Sequence, residues 1–142
     1  MRVAVFSDVH GNLSGLTAVL DSIHRRGVDR IIFAGDLCFA GPRPAACLKA
    51  VSQLGIDSLY GNTDEWVIGR QPAPDRFQAL AAWTLDKIGD NGRKWLARLP
   101  FSQHVSPTDN PADDLLIVHA NPVDVNQVIY PPEADQYKRY NQ

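Results

Sequence analysis

Ser7-Asp8-Val9-His10-Gly11-Asn12 lies between a short apolar run and a helical stripe, and its reading decides the fold. Before it, Arg2-Val3-Ala4-Val5-Phe6 is apolar and β-prone and reads as a buried strand. After it, Leu13, Leu16, Leu20 and Ile23 recur at helical spacing, so a helix begins just beyond Asn12. Asp8 and His10 therefore occupy the turn that leaves the C-terminal end of a strand. In open α/β sheets that edge is where ligands bind. Residues two apart in an extended turn point the same way, so both side chains can face one point. A hard carboxylate oxygen beside an imidazole nitrogen suits a divalent transition metal. A solvated turn aspartate and a surface histidine explain the pair equally well when it stands alone; the rest of the chain decides.

The pattern repeats twice. Arg25-Arg26-Gly27 closes the first helix, with basic residues in its last turn and glycine at the stop. Arg30-Ile31-Ile32-Phe33-Ala34 is a second apolar strand ending in Gly35-Asp36, where the glycine permits close backbone approach. Gly41-Pro42-Arg43-Pro44 punctuates, and Cys47, Leu48, Val51 and Leu54 form a helical stripe stopped by Gly55. Ile56-Asp57-Ser58-Leu59-Tyr60 is a third strand, running into Gly61-Asn62-Thr63-Asp64. Three strand–turn–helix units in succession imply right-handed crossovers and a parallel sheet, with all three turns along one edge.

The middle of the chain carries less chemistry. Pro72-Ala73-Pro74 is a break; Phe77, Ala81, Leu85 and Ile88 mark a helix ended by Gly89. Asp90 or Asn91 starts a further short helix carrying Trp95, Leu96 and Leu99, stopped by Pro100, and the tryptophans read as packing residues. Phe101 to Val105 and Leu115 to Val118 read as an antiparallel hairpin whose second strand delivers His119, followed by Ala120-Asn121-Pro122. His24 and His104 read as structural. Beyond Val123 the pattern decays through Val128-Ile129-Tyr130 and Pro131-Pro132, and no closing strand is predicted.

Composition bounds the class. With 142 residues, 44% hydrophobic and 21% charged, the chain has the make-up of one globular domain with a sizeable core. The net charge of −2 and the lack of any Lys/Arg cluster argue against bulk nucleic-acid binding. The opening apolar run is cut by Asp8, too early for a signal-peptide core, and no stretch approaches the length of a membrane span. Cys38 and Cys47 lack CxxC spacing and read as buried thiols rather than a disulfide or zinc pair. These features predict a cytoplasmic protein.

Asp8, His10, Asp36, Asn62 and His119 thus all fall at strand exits. Two divalent ions need this mixture: Asp8 and His10 hold one, Asn62 and His119 the other, and Asp36 bridges. A pair of ions about 4 Å apart shares a hydroxide and clamps the oxygens of a phosphoryl group. The first turn lacks the G-x-G-x-x-G order of a dinucleotide site, and no P-loop lysine follows.

The segments Asp8-Val9-His10-Gly11-Asn12, Gly35-Asp36, Gly61-Asn62-Thr63-Asp64 and His119-Ala120-Asn121-Pro122 resemble the DxH, GD, GNxD and H-A-x-P blocks of the calcineurin-like metallophosphoesterase family. The GNxD form, with the helical segment between, is similar to its small bacterial phosphodiesterase-like branch. The resemblance covers residues 3 to 122. It implies an α/β fold, the αββα sandwich, with two divalent ions (Mn²⁺, Fe, Zn²⁺ or Ni²⁺) acting on a small phosphorylated substrate. By the same resemblance, Thr63 stands where many members carry a histidine that helps protonate the leaving group. Asp64 is expected to orient its neighbours, and Asn12 to cap the first helix or touch phosphate.

The family's closing GHxH block, which completes both metal shells, has no counterpart: no histidine follows His119. The sequence therefore predicts a single domain over residues 1–142, truncated at its C-terminus, with weakened metal occupancy. An unfinished sheet would leave an open edge and favour a homo-oligomer. The competing expectation is an interaction scaffold on the same fold that has lost catalysis.

Overall fold

Six short elements alternate at the start of the chain: β1 (Val3–Phe6), α1 (Leu13–Arg26), β2 (Arg30–Ala34), α2 (Pro44–Leu54), β3 (Asp57–Leu59) and α3 (Asn62–Ile68). They come from a computed structural model that describes residues 1–129. The three strands form a parallel sheet in the order β1-β2-β3, with Val3 paired to Arg30 and Ile32 to Asp57. Strand order follows chain order, as consecutive crossover units dictate. The Asp57 carboxylate on β3 meets the Arg30 guanidinium on β2 at 2.7 Å, an ion pair between neighbouring strands.

α1 and α2 end at the glycines the sequence reading named, and α3 ends at a third. Gly27, Gly55 and Gly69 adopt left-handed conformations just past α1, α2 and α3. Asn12 caps α1, its side-chain oxygen accepting from the Gly15 amide at 2.9 Å. Beyond a short turn at Asp75–Phe77, α4 runs from Gln78 to Ala97 and is broken at Gly89 (φ 63°, ψ −174°), where the sequence predicted a stop and a fresh start.

Phe33 of β2 is fully buried in a core that draws Leu16 from α1, Cys47 and Val51 from α2, Val67 from α3, and Ile88 and Leu96 from α4. Phe39, Trp66 and Phe77 add an aromatic cluster with centroids 5.5–6.0 Å apart. Both cysteines are buried free thiols, and burial pushes each above its ordinary pKa.

The hairpin is present as β4 (Ser102–Val105) and β5 (Leu115–Val118), antiparallel, with Ser102 opposite Val118. It is tied to the parallel sheet: the Tyr60 amide donates to the Pro100 carbonyl at 3.2 Å, and the Gln103 side chain to the Ser58 carbonyl at 3.1 Å. The architecture of the described residues is thus a parallel α/β layer plus a small antiparallel pair, the βαβ core and hairpin that the sequence predicts.

Four expectations need correction or bounding. β1 is not buried on both faces: Val5, turned opposite to Phe6, is 50% exposed because β1 is the sheet's edge among the described residues. Trp83 is not a core residue but lies on the surface, with the Lys87 ammonium 5.9 Å from its ring centre. His24 and His104 are solvent-facing rather than structural. The tail from Tyr130 onward, where no strand was predicted, lies outside the described residues.

Candidate metal centre

The turns leaving β1 and β2 continue to pair after the strands end. The Asp8 amide donates to the Gly35 carbonyl, the His10 amide to the Asp36 carbonyl and the Gly11 amide to the Leu37 carbonyl, at 2.9–3.0 Å. The turn leaving β3 is joined to them by Asp64. Its carboxylate accepts from the amides of Asp36 at 2.8 Å, Gly61 at 3.0 Å and Leu37 at 3.1 Å. Asp64 is fully buried, and its carboxylate is engaged by these three amides. Burial, and then the charge of Asp36, push its pKa up to about 6, against the three amides that pull it down.

Asp36 is the meeting point. Its Oδ2 lies 3.6 Å from His10 Nε2 and its Oδ1 3.6 Å from His119 Nε2. Each carboxylate oxygen faces a different imidazole. Asp8 Oδ1 lies 3.5 Å from His10 Nε2, and ligand atoms of Asp8, His10 and Asp36 all fall within 4.8 Å of one another. Asn62 Oδ1 sits 3.1 Å from His119 Nε2. The five residues read as ligands converge at one place.

Both histidines are oriented the same way. His10 gives its Nδ1 to the Phe39 carbonyl at 3.2 Å, and His119 gives its own to the Ala34 carbonyl at 2.8 Å. Such backbone anchors fix the tautomer that leaves Nε2 as a lone pair. At His119 that lone pair faces the Asn62 oxygen, so two acceptors stand 3.1 Å apart. A cation shared between them removes the conflict. The hard, mixed O/N donor set suits a divalent ion.

Backbone strain gathers here. Among the described residues, the non-glycine positions with left-handed φ are Asp8 (55°), His10 (47°), Asp36 (65°) and Ala40 (74°). Three of the four carry candidate ligands. Each such conformation costs on the order of 1–3 kcal/mol and persists where the surroundings enforce it. Two glycines make room beneath: a Cβ on Gly41 would collide with the His10 carbonyl, and one on Gly61 with Asp36 Oδ1.

Two predicted residues take different places. Thr63 is buried, its amide donates to Asp36 Oδ1 at 3.0 Å, and its hydroxyl has no partner. It meets the site through its backbone. Asn12 lines a separate cleft on the far side of Asp8, with Phe6, Leu16 and Val19, and its oxygen is taken by the helix cap. Sequence reasoning assigned nothing to Gly41 or to Asn121, which braces the loop after His119. The Asn121-Pro122 pair, a turn-forming dipeptide, was the available signal.

A three-stranded parallel sheet whose exit turns and following hairpin gather Asp, Asn and His around one carboxylate is an α/β fold with a candidate metal site at its strand exits. A family model described as calcineurin-like phosphoesterase matches residues 1–141, and the chain belongs to that family. It is 30% identical over 143 residues to the protein MJ0912 of Methanocaldococcus jannaschii, covering 97% of this chain and 58% of that one. A metallophosphoesterase from Sphaerobacter thermophilus superposes with a TM-score of 0.70 at 30% identity, over 92% of this chain and 51% of that one. The Pyrococcus horikoshii protein PH1004 shares the fold, with a TM-score of 0.77 at 23% identity, over 98% and 63%. The chain thus spans between about half and two thirds of the length of these relatives. Among the described residues, no helix is long and apolar enough to cross a membrane.

Proposed function

We propose that this chain carries the metal-binding face of a cytoplasmic phosphodiesterase that uses two divalent ions on a small phosphorylated substrate. One observation carries the reading: Asp36 presents one oxygen to His10 and the other to His119, each at 3.6 Å. A carboxylate so placed suits a bridge between two cations. Asp8 and His10 would hold one ion, Asn62 and His119 the other, with Asp36 on both. When bound, such ions supply an activated water and neutralise charge on the phosphoryl oxygens.

The chain's own residues then divide the work. His10 and His119 keep Nε2 turned inward through their backbone anchors. The Thr63 amide and the Asp64 carboxylate fix the bridging turn from beneath. No side chain of this set is placed to protonate a leaving group, since the Thr63 hydroxyl is buried. A missing general acid costs about 10²–10⁴-fold where the leaving group needs a proton. Aryl phosphodiesters should therefore turn over faster than alkyl ones by a factor of that order, and equal rates would refute this division of roles.

The direct test is manganese-dependent hydrolysis of bis(4-nitrophenyl) phosphate, abolished by Asp36→Asn. A metal-loaded protein with no turnover of any phosphoester would instead favour an interaction scaffold on the same fold. Among the described residues β1 has no partner strand on its outer side, and with Val5 half exposed this edge supports a homo-oligomer. Light scattering at monomer mass would count against that part.

A further inference from the structure

The cleft that holds Asp8, Asp36, Asn62 and His119 has a second wall of a different kind. Ala120, Val125, Val128 and Ile129 face these polar groups across about 360 Å³. Pockets that enclose organic ligands begin at about 300 Å³, so a phosphoryl group and its ions leave space over. The wall is built rather than loose. Asn121, 5% exposed, donates from its amide nitrogen to the Gln127 carbonyl at 2.6 Å. Its oxygen accepts from the amides of Val123 at 2.7 Å and Asp124 at 2.9 Å. Asp124 in turn accepts from the amides of Asn126 and Gln127. Val125 is buried beneath, while Val128 and Ile129 stay 54% and 68% exposed at the lip of the cleft. Among the described residues, these two aliphatic side chains beside the charged cluster leave apolar surface uncovered.

We propose that segment 121–129 is the substrate-selecting wall of the site, and that it takes a flat apolar ring, aryl or nucleobase, carried on the phosphoester. This inference rests on the phosphoesterase reading. The ring would lie on Val128 and Ile129 while the phosphoryl group faces Asp36 and His119. Asn121 serves as a positioning residue for the segment.

Binding of stable phosphonates to the manganese-loaded protein, followed by calorimetry, tests this without turnover. Phenylphosphonate should bind about tenfold more tightly than methylphosphonate, the discrimination expected of a small apolar pocket. The double variant Val128→Ser with Ile129→Ser should bring the two affinities within about twofold of each other at unchanged manganese content. Equal affinities in the unaltered protein, with manganese-dependent ester hydrolysis intact, would overturn this inference alone. So would a double variant that keeps the full preference. Binding of neither phosphonate, together with absent hydrolysis, would overturn both this inference and the reading it rests on.

Discussion

Asp8 and His10 stand at the rim of the cleft with 57% and 38% of their side chains exposed, whereas His119, across Asp36, keeps 9%. The two halves of the site are also built on different backbones. The rim half sits on left-handed residues, Asp8 and His10, pressed against Gly41. The inner half sits on the start of α3 and the end of β5, with Asn62 and His119 already in contact and Gly61 packed under Asp36. One half is strained and wet, the other relaxed and enclosed. An ion in the enclosed half meets less competition from water, since screening weakens charge interactions at exposed positions. The inner position should therefore hold its ion more tightly, and sequential chelation followed by elemental analysis should empty the rim position first.

Removing the shared carboxylate should erase the difference between the halves. Asp36→Asn leaves the Thr63 contact sterically possible but takes the bridging charge from both ions, so turnover should fall about 10³-fold or more. Loss of only one ion by elemental analysis would show that Asp36 serves a single half. Asp64→Asn should be next in effect. The new amide group must point a donor at one of the Asp36, Gly61 or Leu37 amides, leaving a buried conflict of about 1–3 kcal/mol in unfolding free energy. Since Asp64 ties the β2 turn to the β3 turn, metal affinity should drop about 10–100-fold with it, the usual result of disturbing ligand support. An unchanged denaturation midpoint would refute its role as the tie. Gly61→Ala is the narrower wedge. It drives a methyl group into Asp36 and should cost about 1–3 kcal/mol by overpacking, with the inner ion lost before the rim ion. Gly41→Ala should reverse that order, because its clash falls on the His10 carbonyl.

The parallel layer and the convergence of Asp8, His10, Asp36, Asn62 and His119 were legible because the first two strands are continuous apolar runs and each exit of the parallel sheet is marked by glycine or a turn residue. What escaped was set by contacts between positions far apart in the chain. Gly41 reads as loop punctuation; only the fold shows it against His10, 31 positions earlier. Val5 looks like its buried neighbours, and its exposure follows from the strand order rather than its own identity. Trp83 has the composition of a core residue but falls on the solvent side of α4. The left-handed φ at Asp8, His10 and Asp36 was invisible too, since such angles are expected at glycine and here fall on ligands.

That last mismatch yields the smallest effect and the sharpest sign. Asp8 is exposed, its side chain among the described residues meets the neighbouring Ser7 hydroxyl and the other site residues, and its φ of 55° disfavours any side chain. In Asp8→Gly the left-handed penalty of about 1–2 kcal/mol disappears. The looser unfolded chain takes back about 0.5–1 kcal/mol, and like-charge repulsion with Asp36 is relieved as well. The metal-free variant should therefore be more stable than the parent by about 1 kcal/mol, seen as a higher denaturant midpoint at unchanged slope. Its rim ion should nevertheless be lost and its turnover collapse. A residue whose removal stabilises the fold and abolishes the chemistry is retained for the chemistry. A metal-free Asp8→Gly protein less stable than the parent would mean that the turn itself depends on the aspartate, and the contrast between a strained rim and a relaxed interior would lose its physical basis.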